Sequence, residues 1–200
     1  NPVFVDTEPL SKERYIRRIS ITLLGRPPYL SEMERWKNQN EDDIIDEIFE
    51  QTEVFDQLTP FFEQWLLTRV EDFNLTYNDY HLDESFSYEF IRSVGQEAPR
   101  LMSYVATQNR SWTEIVTADY TLSNDLLVDI WPLEKVESTD DTAQWFKAQY
   151  TDGRPPGGVL MTNGLWWRYY TTPNNFSRSR AMVLSELFLC ENYLLRPIKF

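Results

Sequence analysis

The chain has 200 residues, a formal net charge of −13 and 15% aromatic side chains. That length suits one domain, or two small ones, with enough apolar surface to fold without staples. The charge makes nucleic acid and anionic membrane poor partners, and the single cysteine, Cys190, excludes an internal disulfide framework and a C-x-x-C-H haem attachment.

In chain order the pattern is helical. Ser11 can cap a helix that carries Ile16, Ile19 and Leu23 on one face, closed by Gly25 and stopped by Pro27-Pro28. Ser31 and Glu34 read as a capping box for the next helix. Ile44, Ile45, Ile48 and Phe49 mark a third, with an acid run at 41–47 suited to a helix start. Thr59-Pro60 reads as a cap followed by proline at the first helical position, opening a helix that buries Phe61, Phe62, Trp65 and Leu66. Residues 71–84 are polar and loop-like. A longer helical pattern runs from Phe86 to about Val105, with Pro99 as a kink. Ser111 and Glu114 form a second capping box. From Trp131 to Gly158 periodicity fails, and Pro132, Pro155-Pro156 and Gly157-Gly158 suggest a long irregular connection. The last element spans about Ser177 to Tyr193, with Val183, Leu187, Cys190 and Leu194 on one stripe that predicts a buried, inert thiol. Strong strand alternation, internal repeats and runs of 18 apolar residues are absent, so the chain has no membrane span. It begins at Asn1 rather than Met, as expected after removal of a signal segment or excision from a longer chain.

The stretch "VTADYTLSND", Val116 to Asp125, packs polar residues between two helices. Asp119, Ser123, Asn124 and Asp125 are types that satisfy free amides and carbonyls at a turn, with Ser123 as the cap of the second helix. With no histidine nearby, a structural joint is expected rather than a reaction centre.

Three stretches carry a resemblance. "SWTEIVTADYTLSNDLL", "RRISITLLGRPPYLSEMERW" and "GGVLMTNGLWWRYYTTPNNFSRSRAMVLSELFLC" together resemble the motifs of a large group of bacterial secreted proteins of unknown function. That group is common in planctomycetes and myxobacteria and is often fused to c-type cytochrome modules. The resemblance implies a periplasmic or cell-surface setting and no particular chemistry. Its usual proline run after Leu-Cys is replaced here by "ENYLLRPIKF".

Few residues suggest chemistry. His81 is the only histidine, and "NDYHLDESF" gathers Asp79, His81, Asp83 and Glu84 in what reads as a solvated loop. The acid run lacks the glycine turn of a calcium loop, so no metal is expected. "WWRYY", Trp166, Trp167, Arg168, Tyr169 and Tyr170, cannot all point inward from one face, so it is either core with intrachain cover or a partner or glycan surface. Arg178 and Arg180 open the last helix, where cations are disfavoured, and call for a carboxylate or bound anion. Residues 61–150 hold sixteen acids against six bases and would be the place to find one.

These features predict an all-α fold, an irregular bundle of about seven to nine helices with long polar connections. It forms a single domain over 1–200, with sub-units 1–80 and 81–200 sharing a core as an alternative. The expected role is that of an extracytoplasmic structural or protein-binding subunit without catalytic site, metal or cofactor. Its partner would be another protein or further domains of the same polypeptide. The alternative is an accessory domain of a secreted redox or polysaccharide-processing enzyme.

Overall fold

A computed structural model describes residues 8–70, 75, 80–136, 144–174 and 177–192. Asp79 and Leu194, which entered the sequence reading, lie outside the described residues. The chain divides into two compact units, Asn1–Leu58 and Thr59–Phe200.

The first unit is helical. α1 (Lys12–Leu24) ends at Gly25, whose φ of 69° is the left-handed conformation that closes helices; its N–H returns to Ile21 O at 3.2 Å. Arg26 then clamps the turn. Its guanidinium forks onto both oxygens of Glu32 at 2.8 and 2.9 Å and lies 4.0 Å from the Tyr29 ring centre. α2 (Leu30–Trp36) therefore starts two residues earlier than the Ser31 box predicts, and it is Glu32 that reaches back to Tyr29 N, at 2.7 Å. Asn40 caps α3 (Glu41–Phe49) through Asp43 N at 2.8 Å, and Glu41, Asp42 and Asp43 fill its first turn. Ile16, Leu24, Trp36, Ile44, Ile48 and Val54 form the core.

α4 (Glu53–Leu66) carries Pro60 in its interior. The expected start at Thr59-Pro60 is thus wrong. An interior proline costs about 3 kcal/mol, but burying Val54, Phe55, Phe62 and Leu66 returns roughly 1.5–3 kcal/mol each. Thr59 is buried, with its hydroxyl 3.1 Å from that of Ser103. Of the aromatic residues that follow, only Phe62 is buried; Phe61 and Trp65 are exposed.

The second unit is organised around α5 (Ser87–Thr107), in which every residue from Ser93 to Val105 is buried. Around it lie α6 (Glu114–Thr117), β1 (Thr121–Ser123), α7 (Asp125–Ile130), β2 (Leu133–Lys135), β3 (Phe146–Tyr150), a 3₁₀ turn at Gly158–Met161 and α8 (Asn163–Arg168). α9 (Arg178–Val183) runs into a π-helical turn, Leu184–Phe188. The three strands form an antiparallel sheet in the order β1-β3-β2, with Thr121 opposite Ala148 and Leu133 opposite Tyr150.

The fold is mostly helical, with nine α-helices among the described residues, but the all-α expectation is corrected by this sheet. Two of its strands lie inside the region read as an irregular connection. β1 and β2 escape a periodicity test because they have three residues each, and β1 is buried at every position; β3, five residues long, is buried only at Phe146 and Ala148 and stands alone in a Pro- and Gly-rich stretch. No helix among the described residues is long and apolar enough to cross a membrane.

Cys190 is a second correction. It is exposed, at φ 53°, rather than buried on the Val183 stripe. The π-helical turn advances the chain by an extra residue, which shifts the phase of the stripe after Val183. A thiol reagent should accordingly label Cys190 in the native protein about as fast as in the denatured chain. Strong protection, measured by mass spectrometry over a time course, would contradict the geometry.

Candidate functional site

A helix buried over thirteen consecutive residues leaves its polar side chains little solvent, so most must be answered from within. Glu97 is the extreme case: it is fully buried. Its Oε1 accepts from Tyr150 Oη at 2.6 Å and from Thr121 Oγ1 at 3.3 Å, and its Oε2 accepts from Gly164 N at 3.2 Å. β3, β1 and α8 each supply one donor. Tyr150 Oη in turn accepts from Asn163 N at 3.3 Å. The Arg154 guanidinium covers the Tyr150 ring at 3.5 Å and is held by Asp152, by Asn163 Oδ1 at 3.0 Å and by the Met161 carbonyl. Burial pushes the Glu97 carboxyl up to about 7, against the downward pull of its donors and of Arg154. Burial and the facing carboxylate push the Tyr150 hydroxyl well above its ordinary range.

Two glycines make this approach possible. A Cβ on Gly164 would lie 1.9 Å from Val94 O, so only glycine lets α8 sit so close to α5. Gly158, at φ 54°, would drive a Cβ to 2.2 Å from Ile115 O. Beside it, Gly157 N and Gly158 N both donate to Ala118 O, at 3.1 and 2.9 Å. The "VTADYTLSND" and "GGVLMTNGLWW" stretches are therefore joined twice, directly at Ala118 and through Glu97.

Within the joint the cap of α7 is Asn124, where the sequence pattern pointed to Ser123. Asn124 Oδ1 accepts from Leu127 N at 3.0 Å and its Nδ2 donates to Ser93 Oγ at 2.8 Å. Ser123 is the buried end of β1 and donates to Asn124 O at 3.2 Å. Asp119 is exposed and accepts from Gln149 Nε2 on β3 at 3.3 Å, and Asp125 is exposed in the first turn of α7. The last strand residue takes no part in the cap because its side chain is already inside the sheet.

The "WWRYY" segment divides. Trp166 Nε1 donates to Leu160 O at 2.5 Å, Arg168 Nε to Leu67 O at 2.8 Å and Tyr169 Oη to Leu66 O at 3.0 Å. Trp167 and Tyr170 face outward, 41% and 64% exposed. They line a shallow cleft of about 340 Å³ with Asn163, Trp166, Thr171 and Arg180. Arg180 rests 5.0 Å from the Trp166 ring centre and donates to Tyr169 O at 3.3 Å; Arg178 is exposed. Among the described residues neither arginine forms an ion pair, so the compensation sought from the acidic middle is supplied to Arg180 by a carbonyl and an indole face.

A polar cleft of about 270 Å³ opens on another side of α5, between Arg92, Ser93, Gln96, Arg100, Asn124 and Trp145. Arg100 donates to Gln96 Oε1 at 3.2 Å, and burial raises the carboxyl of Glu63 beside Gln96. This stripe is not among the residues singled out from sequence, although Arg92, Gln96 and Arg100 recur at helical spacing. Nor is Glu97, whose partners stand 24, 53 and 67 residues away. His81 is exposed, and among the described residues no group of three or more His, Cys, Asp or Glu converges as a metal site would.

Fold and site together define a mostly helical protein whose second unit is assembled on a buried, near-neutral carboxyl and presents an aromatic surface. The chain belongs to the family described as PSD4: Protein of unknown function (DUF1592), which it matches over residues 32–133. That stretch includes Glu97 and Thr121, whereas Tyr150 and Gly164 lie beyond it. No curated protein and no solved structure matches the chain.

The Glu97 carboxyl has a pH signature. Its folded value near 7 lies above the unfolded value of about 4.3, so the folded state holds its proton more tightly. Stability from this group is complete below the unfolded value and is lost as pH rises through 7, at about 1.4 kcal/mol for each pH unit between the two values. Denaturant melts from pH 5 to pH 8 should show the wild type losing stability relative to Glu97→Gln, because Glu63 and the other acids are common to both. Parallel curves would remove Glu97 from the account. Gly164→Ala should cost about 3 kcal/mol or more by forcing α8 off α5, a drop that the same melts would show.

Proposed function

We propose that the second unit is a protein-binding module without a reaction centre of its own, and that its contact surface is the outer side of α8. The reading is carried by the division of the Trp166–Tyr170 segment. Three side chains anchor it to backbone carbonyls, and two large rings remain exposed beside them, Trp167 edge-on to Tyr80 at 6.5 Å. Tryptophan, tyrosine and arginine are the types that dominate binding surfaces, and rings held rigidly lose little entropy on contact.

Charge indicates the kind of partner. From Gly153 to Ser185 the sequence holds four arginines and no acid, although the chain as a whole is strongly anionic. Arg180 lines the cleft, Arg168 belongs to the same segment and Arg178 is exposed nearby. A protein surface that is apolar at its centre and acidic at its rim is complementary to this side. The extracytoplasmic setting, with a partner or neighbouring module of the cytochrome-linked kind, is part of the proposal and rests on the sequence resemblance.

The test is capture from the cell envelope followed by affinity measurement on the identified partner. Trp167→Ala and Tyr170→Ala should each weaken association by about 2 kcal/mol or more, with a smaller loss of melting temperature than Trp166→Ala. Trp166→Ala should lower stability, since its indole is tied to Leu160 O. Full affinity in the Trp167→Ala, Tyr170→Ala double variant would exclude this side as the interface. A photo-cross-linker at position 170 reports the same contact independently.

A further inference from the structure

The first turn of α8 hangs on one acid–phenol pair. Gly164 N donates to Glu97 Oε2 and Asn163 N donates to Tyr150 Oη, which itself donates to Glu97 Oε1. α8 cannot tighten further against α5, because Gly164 already lies where a Cβ would overlap Val94 O. Any loosening must therefore carry its first turn outward, and Trp167 and Tyr170 with it.

We propose that ionisation of the Glu97 carboxyl sets how α8 is seated on α5 and so tunes, with pH, the surface that Trp167 and Tyr170 present; the proposal rests on the reading of that surface as the binding side. An ionised carboxyl is a pure acceptor and answers all three donors. Protonation adds a donor among donors. The hydroxyls of Thr121 and Tyr150 can reverse and accept, but the Gly164 N–H cannot. A proton on Oε2 leaves Gly164 N–H only the weak acceptor of a hydroxyl oxygen and turns a second donor toward it. A proton on Oε1 turns Tyr150 into an acceptor for Glu97 while it still serves Asn163 N, weakening both contacts. In either arrangement the α8 amides lose hold, so the ionised form seats the helix best even though its charge is costly to bury.

The groups around Glu97 leave it as the element that responds. β1 presents Thr121 and α8 presents Gly164, both uncharged; β3 presents Tyr150, raised far above neutrality. Arg154 stands behind Tyr150 and is paired with Asp152 at 2.6 Å. α6 presents Glu114, tied to Arg110 and Tyr120, and its carboxyl is lowered by that arginine. α7 offers Asp125, exposed at the polar cleft, and the turn before α5 offers the exposed Glu84. The 3₁₀ turn at Gly158–Met161 has no titratable side chain. On α5 itself, Glu89, Arg92 and Arg100 line the polar cleft. α4 presents Glu63, which burial also raises and which bonds to Gln96. Glu63 is thus another acid of this unit whose carboxyl burial raises, and the natural control.

The experiment follows the indole ¹H–¹⁵N signals of Trp166 and Trp167 from pH 5 to pH 9, assigned with Trp166→Phe and Trp167→Phe. The wild type should show both signals moving with one midpoint near neutrality. Glu97→Gln should abolish that movement, Glu63→Gln should leave it intact, and Tyr150→Phe, which removes a donor to the carboxylate, should shift the midpoint upward. Static signals, or a midpoint that survives Glu97→Gln or is lost in Glu63→Gln, overturn the proposal. If Glu97→Gln does not fold, the Tyr150→Phe shift decides alone, and an unmoved midpoint counts against it. Partner affinity should rise about fivefold from pH 6 to pH 8 in the wild type and not in Glu97→Gln. Indole signals that titrate as described while Trp167→Ala binds the partner normally would overturn the binding-side reading, and with it the second half of this proposal, while the seating of α8 by Glu97 would stand.

Discussion

A carboxyl group removed from water must be met by donors, and the Glu97 site shows how far that requirement reaches. Its acceptors draw in one residue from each of β1, β3 and α8, elements otherwise distant along the chain. Substituting an apolar residue of similar size would leave Tyr150, Thr121 and the Gly164 amide buried without an acceptor, at roughly 1–3 kcal/mol for each group. The acid therefore specifies an arrangement more than it adds net stability. Apolar packing around α5 could be satisfied by several placements of a short helix, but the directional bonds to Glu97 admit one.

That role explains the uneven legibility of the sequence. Signals carried by neighbouring residues were readable: the Gly25 stop and the acid-led start of α3 act over a few residues, and the α5 pattern repeats along one helix. The strands were not, because three-residue β1 and β2 give no alternation to count and β1 is buried throughout. The start of α4 was misplaced because a Thr-Pro pair has a strong local meaning that burial on both sides of Pro60 overrode. Cys190 was misplaced for a geometric reason, since one π-helical turn changes the phase of everything after it.

For the candidate site, residue types were readable and roles were not. "WWRYY" announced that some rings must be covered and some exposed, but which ones depends on carbonyls at Leu66, Leu67 and Leu160. Ser123 and Asn124 are equally good caps in sequence, and the choice falls to Asn124 because the sheet claims Ser123. Glu97 carried no local mark at all. An acid between Gln96 and Ala98 on an amphipathic helix reads as surface until its distant partners are known.

The in-and-out order of the Trp166–Tyr170 segment separates two demands that usually compete at a binding surface. Trp166, Arg168 and Tyr169 are tied by hydrogen bonds to backbone carbonyls, while Trp167 and Tyr170 keep 41% and 64% of their surface in solvent. The two outward positions behave like interchangeable tips on a fixed stem. On the proposed binding side, selectivity would thereby be editable at two residues, and a reprogrammed surface would inherit the rigidity of the original.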